Sequence, residues 1–102
     1  MLLINYTYKN LLERDKKFLQ DYCPKKLERF KTLIKRFREE ECCLEVKAEA
    51  FATKAAYQIE LMLHLPCNVL LAKEDDHTMI EATDLAVDKL IIQLRKLTDR
   101  HQ

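Results

Sequence analysis

The sequence predicts an α+β domain with the element order β-α-β-β-β-α, in which a four-stranded sheet carries two helices packed on one face. Two observations predict this class. Apolar and polar residues alternate in two stretches of the 102-residue chain, as on half-buried strands. In two others, apolar residues recur every three or four positions, as on amphipathic helices. This length supports one hydrophobic core, so we expect a single domain over residues 1–102.

The first strand and the first helix occupy the opening third of the chain. Residues 2–8 form a short apolar and aromatic run with β-branched members, which predicts a strand. Asp15 is a candidate N-cap, and the apolar positions of residues 16–37 then step by three or four, which predicts one helix. Pro24 deletes a backbone hydrogen bond inside this helix, so we expect a kink just before it.

Three further strands and a final helix complete the predicted order. Residues 42–51 and 57–65 both alternate and are joined by a short connection, which predicts an antiparallel hairpin. A turn leads into the fourth strand, residues 69–73. Acidic residues then precede the last helix, where the helix dipole favours them. This helix runs from Met79 for about 22 residues, or roughly 33 Å.

The charges are segregated along the chain, although the net charge is only +1. Between Lys9 and Arg38 there are eleven Lys or Arg and four Asp or Glu, a net charge of +7. Between Glu39 and Asp88 there are three Lys or Arg and twelve Asp or Glu, a net charge of −9. From Lys89 onward there are four Lys or Arg and one Asp, a net charge of +3. Such segregation favours a basic surface for a polyanion, because phosphate contacts act locally. It is equally compatible with solvated helices.

Basic residues form a stripe along each predicted helix. A helical wheel places Lys96 and Arg100 within about 20° of Lys89, beside the apolar face of the last helix. We call them the last-helix basic stripe. The first-helix basic stripe is Lys25, Arg29 and Arg36, with Lys26 between the stripe and the core. If the helices pack side by side, we expect the stripes to face one another across a groove.

The same sequence offers little for catalysis or metal binding. Glycine is absent, which excludes glycine-rich phosphate loops. Cys42, Cys43, His64 and Cys67 include zinc-binding residue types, but adjacent strand residues point to opposite faces, so Cys42 and Cys43 cannot easily share a metal. No nucleophile, base and acid occur at a known catalytic spacing. We therefore expect no enzyme, no cofactor, no metal and no small-molecule substrate.

The expected location is the cytoplasm. No apolar run approaches the ~20 residues of a membrane-spanning helix, and the first residues lack the pattern of a signal peptide. Binding to a membrane is therefore not expected. The four cysteines are expected to remain thiols, because a reducing compartment disfavours disulfides.

Three segments resemble a known family. Residues 79–100, MIEATDLAVDKLIIQLRKLTDR, resemble the last helix of the ribosome-associated inhibitors, also called hibernation-promoting factors or sigma-54 modulation proteins. Residues 21–30, DYCPKKLERF, are similar to the first-helix motif of that family, and residues 57–75 to its third and fourth strands. The matching last-helix positions are Met79, Ala82, Asp84, Asp88, Lys89, Leu90, Gln93, Leu94 and Lys96.

The resemblance implies a fold like that of a double-stranded-RNA-binding domain and a function on the ribosome. It implies binding to the small ribosomal subunit and its 16S-type ribosomal RNA, in the channel of messenger and transfer RNA, where the protein blocks translation in idle ribosomes. We expect the short type of this family and a monomer off the ribosome. The RNA-binding positions that it suggests are Lys26, Arg29, Lys89, Lys96 and Arg100, and a position that is often basic in the family is Ile92 here.

Two alternatives remain open from the sequence. One is a protein-interaction or dimerisation module that uses the exposed sheet face or the edge formed by Ile91 and Ile92. The other is a generic double-stranded-RNA-binding domain. In the ribosomal interpretation the RNA-binding set is Lys25, Lys26, Arg29, Arg36, Lys89, Lys96 and Arg100.

Overall fold

The chain folds into a four-stranded sheet with helices, seen in a computed structural model. It describes residues 2–66 and 68–100, and the side chains of Phe30, Glu39 and Arg100 lie outside this description. The strands are β1 (Leu3–Lys9), β2 (Cys43–Ala50), β3 (Tyr57–Leu65) and β4 (Asn68–Asp76). The α-helices are α1 (Glu13–Leu27), α2 (Lys31–Ile34) and α3 (Met79–Arg100).

The strands follow one another across the sheet in the order β1-β2-β3-β4. β1 pairs with β2 in parallel, with Ile4 opposite Leu44, and the other two pairs are antiparallel. Parallel neighbours need a crossover connection, and here α1 and α2 form it. The predicted α+β class and its strand count are therefore confirmed.

One face of the sheet holds the core. Alternate residues of β2 and β3, such as Val46 and Leu61, are fully buried, and α3 packs over β3 and β4. α1 adds Leu19, Cys23 and Leu27 to the same core and contacts α3. The predicted packing of both long helices on one face is confirmed. The opposite face, which we call the open face, carries strongly exposed apolar residues such as Leu3, at 60%.

The single helix predicted over residues 16–37 is wrong in detail. α1 begins earlier, at Glu13, and the two acidic residues in its first turn interact favourably with the helix dipole. It passes through Pro24 and ends at Leu27, and a 3-10 turn, α2 and a second 3-10 turn follow. Arg38 then ends the helical segment with a left-handed φ of 56°. The tighter turns keep Ile34 and Phe37 buried on the core side.

The fourth strand is longer than predicted. It continues to Asp76 because Glu74 and Asp75 still pair with β3, opposite Ile59 and Gln58. The acidic residues assigned to the start of the last helix therefore belong to β4. Thr78 caps α3 instead, since its hydroxyl accepts a hydrogen bond from the Glu81 N–H at 3.1 Å.

Candidate nucleic-acid interface

Cations of the first-helix basic stripe lie where α1 ends and the 3-10 turns begin. Lys25 is exposed on the last turn of α1, and Arg36 is exposed on the 3-10 turn that follows α2. Arg29 lies between them along the chain, in the first 3-10 turn. The three cations are exposed and are spread over the second half of the first helical segment.

The boundary between α1 and α3 is lined by opposite charges. The Lys26 Nζ lies 3.3 Å from Asp84 Oδ1 and 5.6 Å from the centre of the Tyr22 ring. The Tyr22 hydroxyl donates to the same carboxylate oxygen at 2.7 Å. One turn further along α3, Arg29 Nη1 donates to Asp88 Oδ1 at 2.6 Å. Lys26 and Arg29 are thus tied to carboxylates of α3.

The network at Asp84 changes the proton affinity of its members. The pKa of Lys26 is raised, chiefly by the hydrogen bond to Asp84 and next by the one to Tyr22. The pKa of Tyr22 is also raised, first by burial and then by its hydrogen bond to Asp84. A raised pKa favours the charged form of Lys26 at neutral pH.

The last-helix basic stripe lies on the other side of α3, toward β4. Lys89 Nζ is 2.7 Å from the Glu74 carboxylate of β4. Gln93, on the same side, donates to the backbone carbonyl of Leu71 at 2.7 Å and ties the helix to the strand. Lys96 is exposed one turn further on. Arg100 ends α3, and its side chain lies outside the described part of the structure.

The two basic stripes do not face one another across a groove, so that expectation is wrong. α1 meets the acidic flank of α3, formed by Asp84 and Asp88, whereas Lys89 points to β4. The physical reason is the packing of α3 on β3 and β4, which turns Lys89 toward β4 and leaves the flank with Asp84 and Asp88 to meet α1. The structure therefore separates the predicted cations into two groups on either side of α3.

One cation of the α3–β4 side, Lys73, was not assigned from the sequence. Lys73 of β4 joins Lys89 and Gln93 around a shallow depression, which Leu71 and Ile92 also line. Ile92 is 53% exposed there, in line with the stripe position where the family often has a cation. The sequence alternation of β4 could have shown that the Lys73 side chain is exposed. Only the packing of α3 on β4 connects it to Lys89.

Three of the four cysteines, Cys23, Cys42 and Cys43, lie among the described residues. Burial raises the pKa of the Cys23 thiol to about 12, so this core cysteine is not a thiolate nucleophile at neutral pH. Cys42 is buried against the carbonyls of Phe37 and Arg38, whereas Cys43 is partly exposed on β2. Cys67 lies outside the described residues.

In the described ranges, no group of three or more His, Cys, Asp or Glu side chains is arranged to hold a metal ion. Among the helices described, none has the length and apolar character required to cross a membrane.

The comparison with protein families decides the relationship of this chain. The family described as sigma 54 modulation protein / S30EA ribosomal protein matches residues 4–102. The chain belongs to this family. The S30EA ribosomal proteins are ribosome-associated factors and are not known as enzymes. The resemblance in the helical motifs is therefore confirmed over nearly the whole length.

Solved structures show the same fold as this S30EA family member. The N-terminal domain of Protein Y from Thermus thermophilus is 26% identical, with a TM-score of 0.72, over 93% of this chain and 98% of that one. A ribosomal subunit interface protein from Coxiella burnetii is 21% identical, with a TM-score of 0.75, over 97% and 99% of the two chains. A search of curated proteins gave no significant match.

Proposed function

We propose that this chain is a translation inhibitor of the hibernation-factor type, which binds the small ribosomal subunit in the channel of messenger and transfer RNA. The observation that carries this proposal is the match to the S30EA ribosomal protein family over residues 4–102. The Coxiella burnetii neighbour is named a ribosomal subunit interface protein, which supports a site of action on the ribosome. The proposed place of action is the cytoplasm, where translation occurs.

The exposed cations supply the means of binding. Lys25, Arg36 and Lys96 project into solvent from α1, its following turns and α3. Lys26, Arg29 and Lys89 are held in direction by carboxylates of the chain itself. Lysine and arginine side chains that meet RNA phosphates release condensed counterions, and this release supplies most of the affinity without base recognition.

The proposed mechanism is occupancy. Double-stranded RNA is recognised mostly through its phosphates and 2′-hydroxyls, so a rigid cationic surface suffices to position the protein on ribosomal RNA. The sheet and helices then exclude messenger and transfer RNA by their bulk. No covalent step is required.

The test is sedimentation with purified ribosomes through a sucrose gradient. The protein should move with small subunits at low salt and leave them steeply as salt rises. About six phosphate contacts predict a loss of affinity on the order of 10³-fold between 50 and 200 mM salt. Absence from the small-subunit fraction at 50 mM salt would refute the proposal.

Replacing Ile92 with Arg should tighten ribosome binding about fivefold, because it adds one phosphate contact to the last-helix basic stripe. Ile92 is exposed beside Lys89, so the substitution leaves the core intact. Filter binding of labelled protein to small subunits measures the change. Ile80→Arg is the matched control, since Ile80 is a similarly exposed isoleucine at the other end of α3. Equal effects of both variants would show that net charge alone matters.

A second candidate function rests on the open face of the sheet. Val69 and Leu71, at neighbouring same-face positions of the edge strand β4, are 52% and 48% exposed, and exposed apolar residues that lie together are typical of protein-interaction surfaces. Light scattering separates the readings, because a stable dimer that covers Lys96 favours the interaction module. A generic double-stranded-RNA-binding domain would bind a simple RNA duplex as tightly as it binds ribosomes.

A further inference from the structure

The three lysines of the sheet strands are not equally paired. Lys9 on β1 lies 4.0 Å from the carboxylate of Glu49. Glu60 lies between Lys47 and Lys73 in the register of the sheet, and its carboxylate pairs with Lys47 at 3.7 Å. In the described part of the chain, no carboxylate pairs with Lys73, whose side chain is exposed on β4. The charge of Lys73 is therefore available to a group outside the chain.

The backbone of Lys73 offers a second donor beside its side chain. The carbonyl of Leu71 accepts a hydrogen bond from the Gln93 side chain at 2.7 Å, so it points away from β3. In an antiparallel pair, residues two positions apart on one strand direct their N–H and C=O groups to the same side. The N–H of Lys73 therefore also points away from β3, at the outer edge of the sheet, and β3 does not supply its acceptor.

These two donors lie beside Lys89, at the depression between α3 and β4. Lys73, Lys89 and Gln93 line this depression together with the apolar side chains of Leu71 and Ile92. Two ammonium groups and one outward N–H are thus gathered at the same edge. Phosphate oxygens accept hydrogen bonds from lysines and from backbone N–H groups alike. The depression therefore has the donors that an oxyanion requires.

Two carboxylates near these donors limit the charge of the ligand. Glu74 pairs with Lys89 at 2.7 Å, so it holds this ammonium in place and offsets its charge. Asp75, on the same face of β4 as Lys73, accepts a hydrogen bond from Gln58 of β3 at 2.9 Å and is drawn toward the middle of the sheet. Two lysines and Glu74 leave a net charge of +1 around the depression. One phosphate of a nucleic-acid backbone carries the matching single negative charge.

We propose that Lys73 and the α3–β4 depression bind one phosphate group of an RNA backbone. Lys73 donates from its ammonium and its backbone N–H, and Lys89, held by Glu74, supplies the second ammonium. The partner is RNA because Lys89 belongs to the last-helix basic stripe, so the inference rests on the proposed function. It extends that RNA-binding surface from α3 onto the edge of the sheet, which a helical wheel does not include.

Replacing Lys73 with Met tests this contact on the ribosome. Met keeps the length of the side chain and removes its charge, so affinity for small subunits should fall about fivefold at 100 mM salt. The slope of log affinity against log salt should become shallower by about one. Lys47→Met is the matched control, because Lys47 lies in the same cross-strand row but away from the depression, and it should change affinity less than about twofold. Equal losses from both variants, or no loss from Lys73→Met while the unaltered chain binds, would overturn the inference and leave the proposed function intact.

A second measurement does not require the ribosome. The full chain, isotope-labelled, is titrated with a ten-nucleotide uridine RNA while its backbone N–H signals are followed by NMR. The Lys73 signal should move downfield, whereas that of Lys47, on a central strand, should stay. A response of Lys73 to RNA without binding of the chain to small subunits would refute the proposed function and support the phosphate site.

The same titration is repeated with inorganic phosphate and with a decapeptide of Glu. These two ligands distinguish an RNA backbone from a free anion and from an acidic protein segment. Both should bind at Lys73 at least tenfold more weakly than the RNA, because they lack its row of phosphates along the last-helix basic stripe. The inference is overturned if RNA leaves the Lys73 signal in place, or if either ligand binds there as tightly as the RNA.

Discussion

Changing Lys89, Lys96 and Arg100 together to Glu is expected to abolish sedimentation with small subunits, with affinity at least 100-fold lower at 100 mM salt. The change removes three cations from one stripe and places three anions where phosphates are expected, so lost attraction and new repulsion add. The dependence of log affinity on log salt should also become shallower by about three, one for each phosphate contact. Filter binding at several salt concentrations measures both effects.

The control for this variant makes the same change in net charge at positions outside the last-helix basic stripe. Arg14, Lys17 and Lys54 are exposed on the start of α1 and the β2–β3 connection, away from the last-helix basic stripe. Their joint change to Glu alters the net charge by the same amount and should reduce binding less than fivefold. If both triple variants lose binding equally, long-range charge governs the interaction, and the assignment of the last-helix basic stripe is wrong. Circular dichroism confirms that both variants fold.

The sequence predicted the strands well where alternation was strict. In β3, Ile59, Leu61 and Leu63 alternate with polar or partly exposed residues, and the predicted bounds agree with those observed. The predicted end of β4 is wrong because Glu74 and Asp75 are acidic, and acidic residues just before a helix are typical of a helix start. Their place in the sheet depends on cross-strand pairing with Ile59 and Gln58, which no local pattern contains.

The first helical segment shows a different limit. Its apolar spacing fits both α and 3-10 geometry, because steps of three and four occur together. Periodicity therefore identified the buried residues Leu27, Ile34 and Phe37. It did not identify the change to 3-10 turns after Leu27, which depends on how the segment packs over β1 and meets α3.

The arrangement of the charges could not be predicted because it depends on which flank of α3 meets α1. A helical wheel places Asp84 and Lys89 roughly 100° to either side of the buried stripe, so either could face the first helix. The strand order decides between them. α3 packs on β3 and β4, and its far flank carries Lys89 toward β4, whereas Asp84 and Asp88 meet Lys26 and Arg29.

Replacing Asp84 and Asp88 together with Asn is expected to tighten binding to small subunits, by about 25-fold at 100 mM salt. Both carboxylates lie beside cations that we propose to contact phosphates. In water-like surroundings a unit charge about 4 Å away changes affinity on the order of fivefold, so two repulsive charges multiply to this value. Asn keeps an oxygen that accepts the hydrogen bond from the Tyr22 hydroxyl, so the local geometry is retained. Titration of labelled protein with small subunits measures the gain.

The opposite result is the physical alternative, because the same carboxylates also hold Lys26 and Arg29 in position. Exposed ion pairs restrict long side chains only weakly, and the Arg29–Asp88 pair is about half exposed on both sides. We therefore expect that the loss of repulsion between these carboxylates and RNA phosphates outweighs the loss of orientation of Lys26 and Arg29. The control is Glu45→Gln with Asp75→Asn on the open face, which makes the same change in net charge away from both stripes. Weaker binding by the Asp84 and Asp88 variant would mean that orientation dominates; equal tightening by the control would mean that Lys26 and Arg29 have no local role.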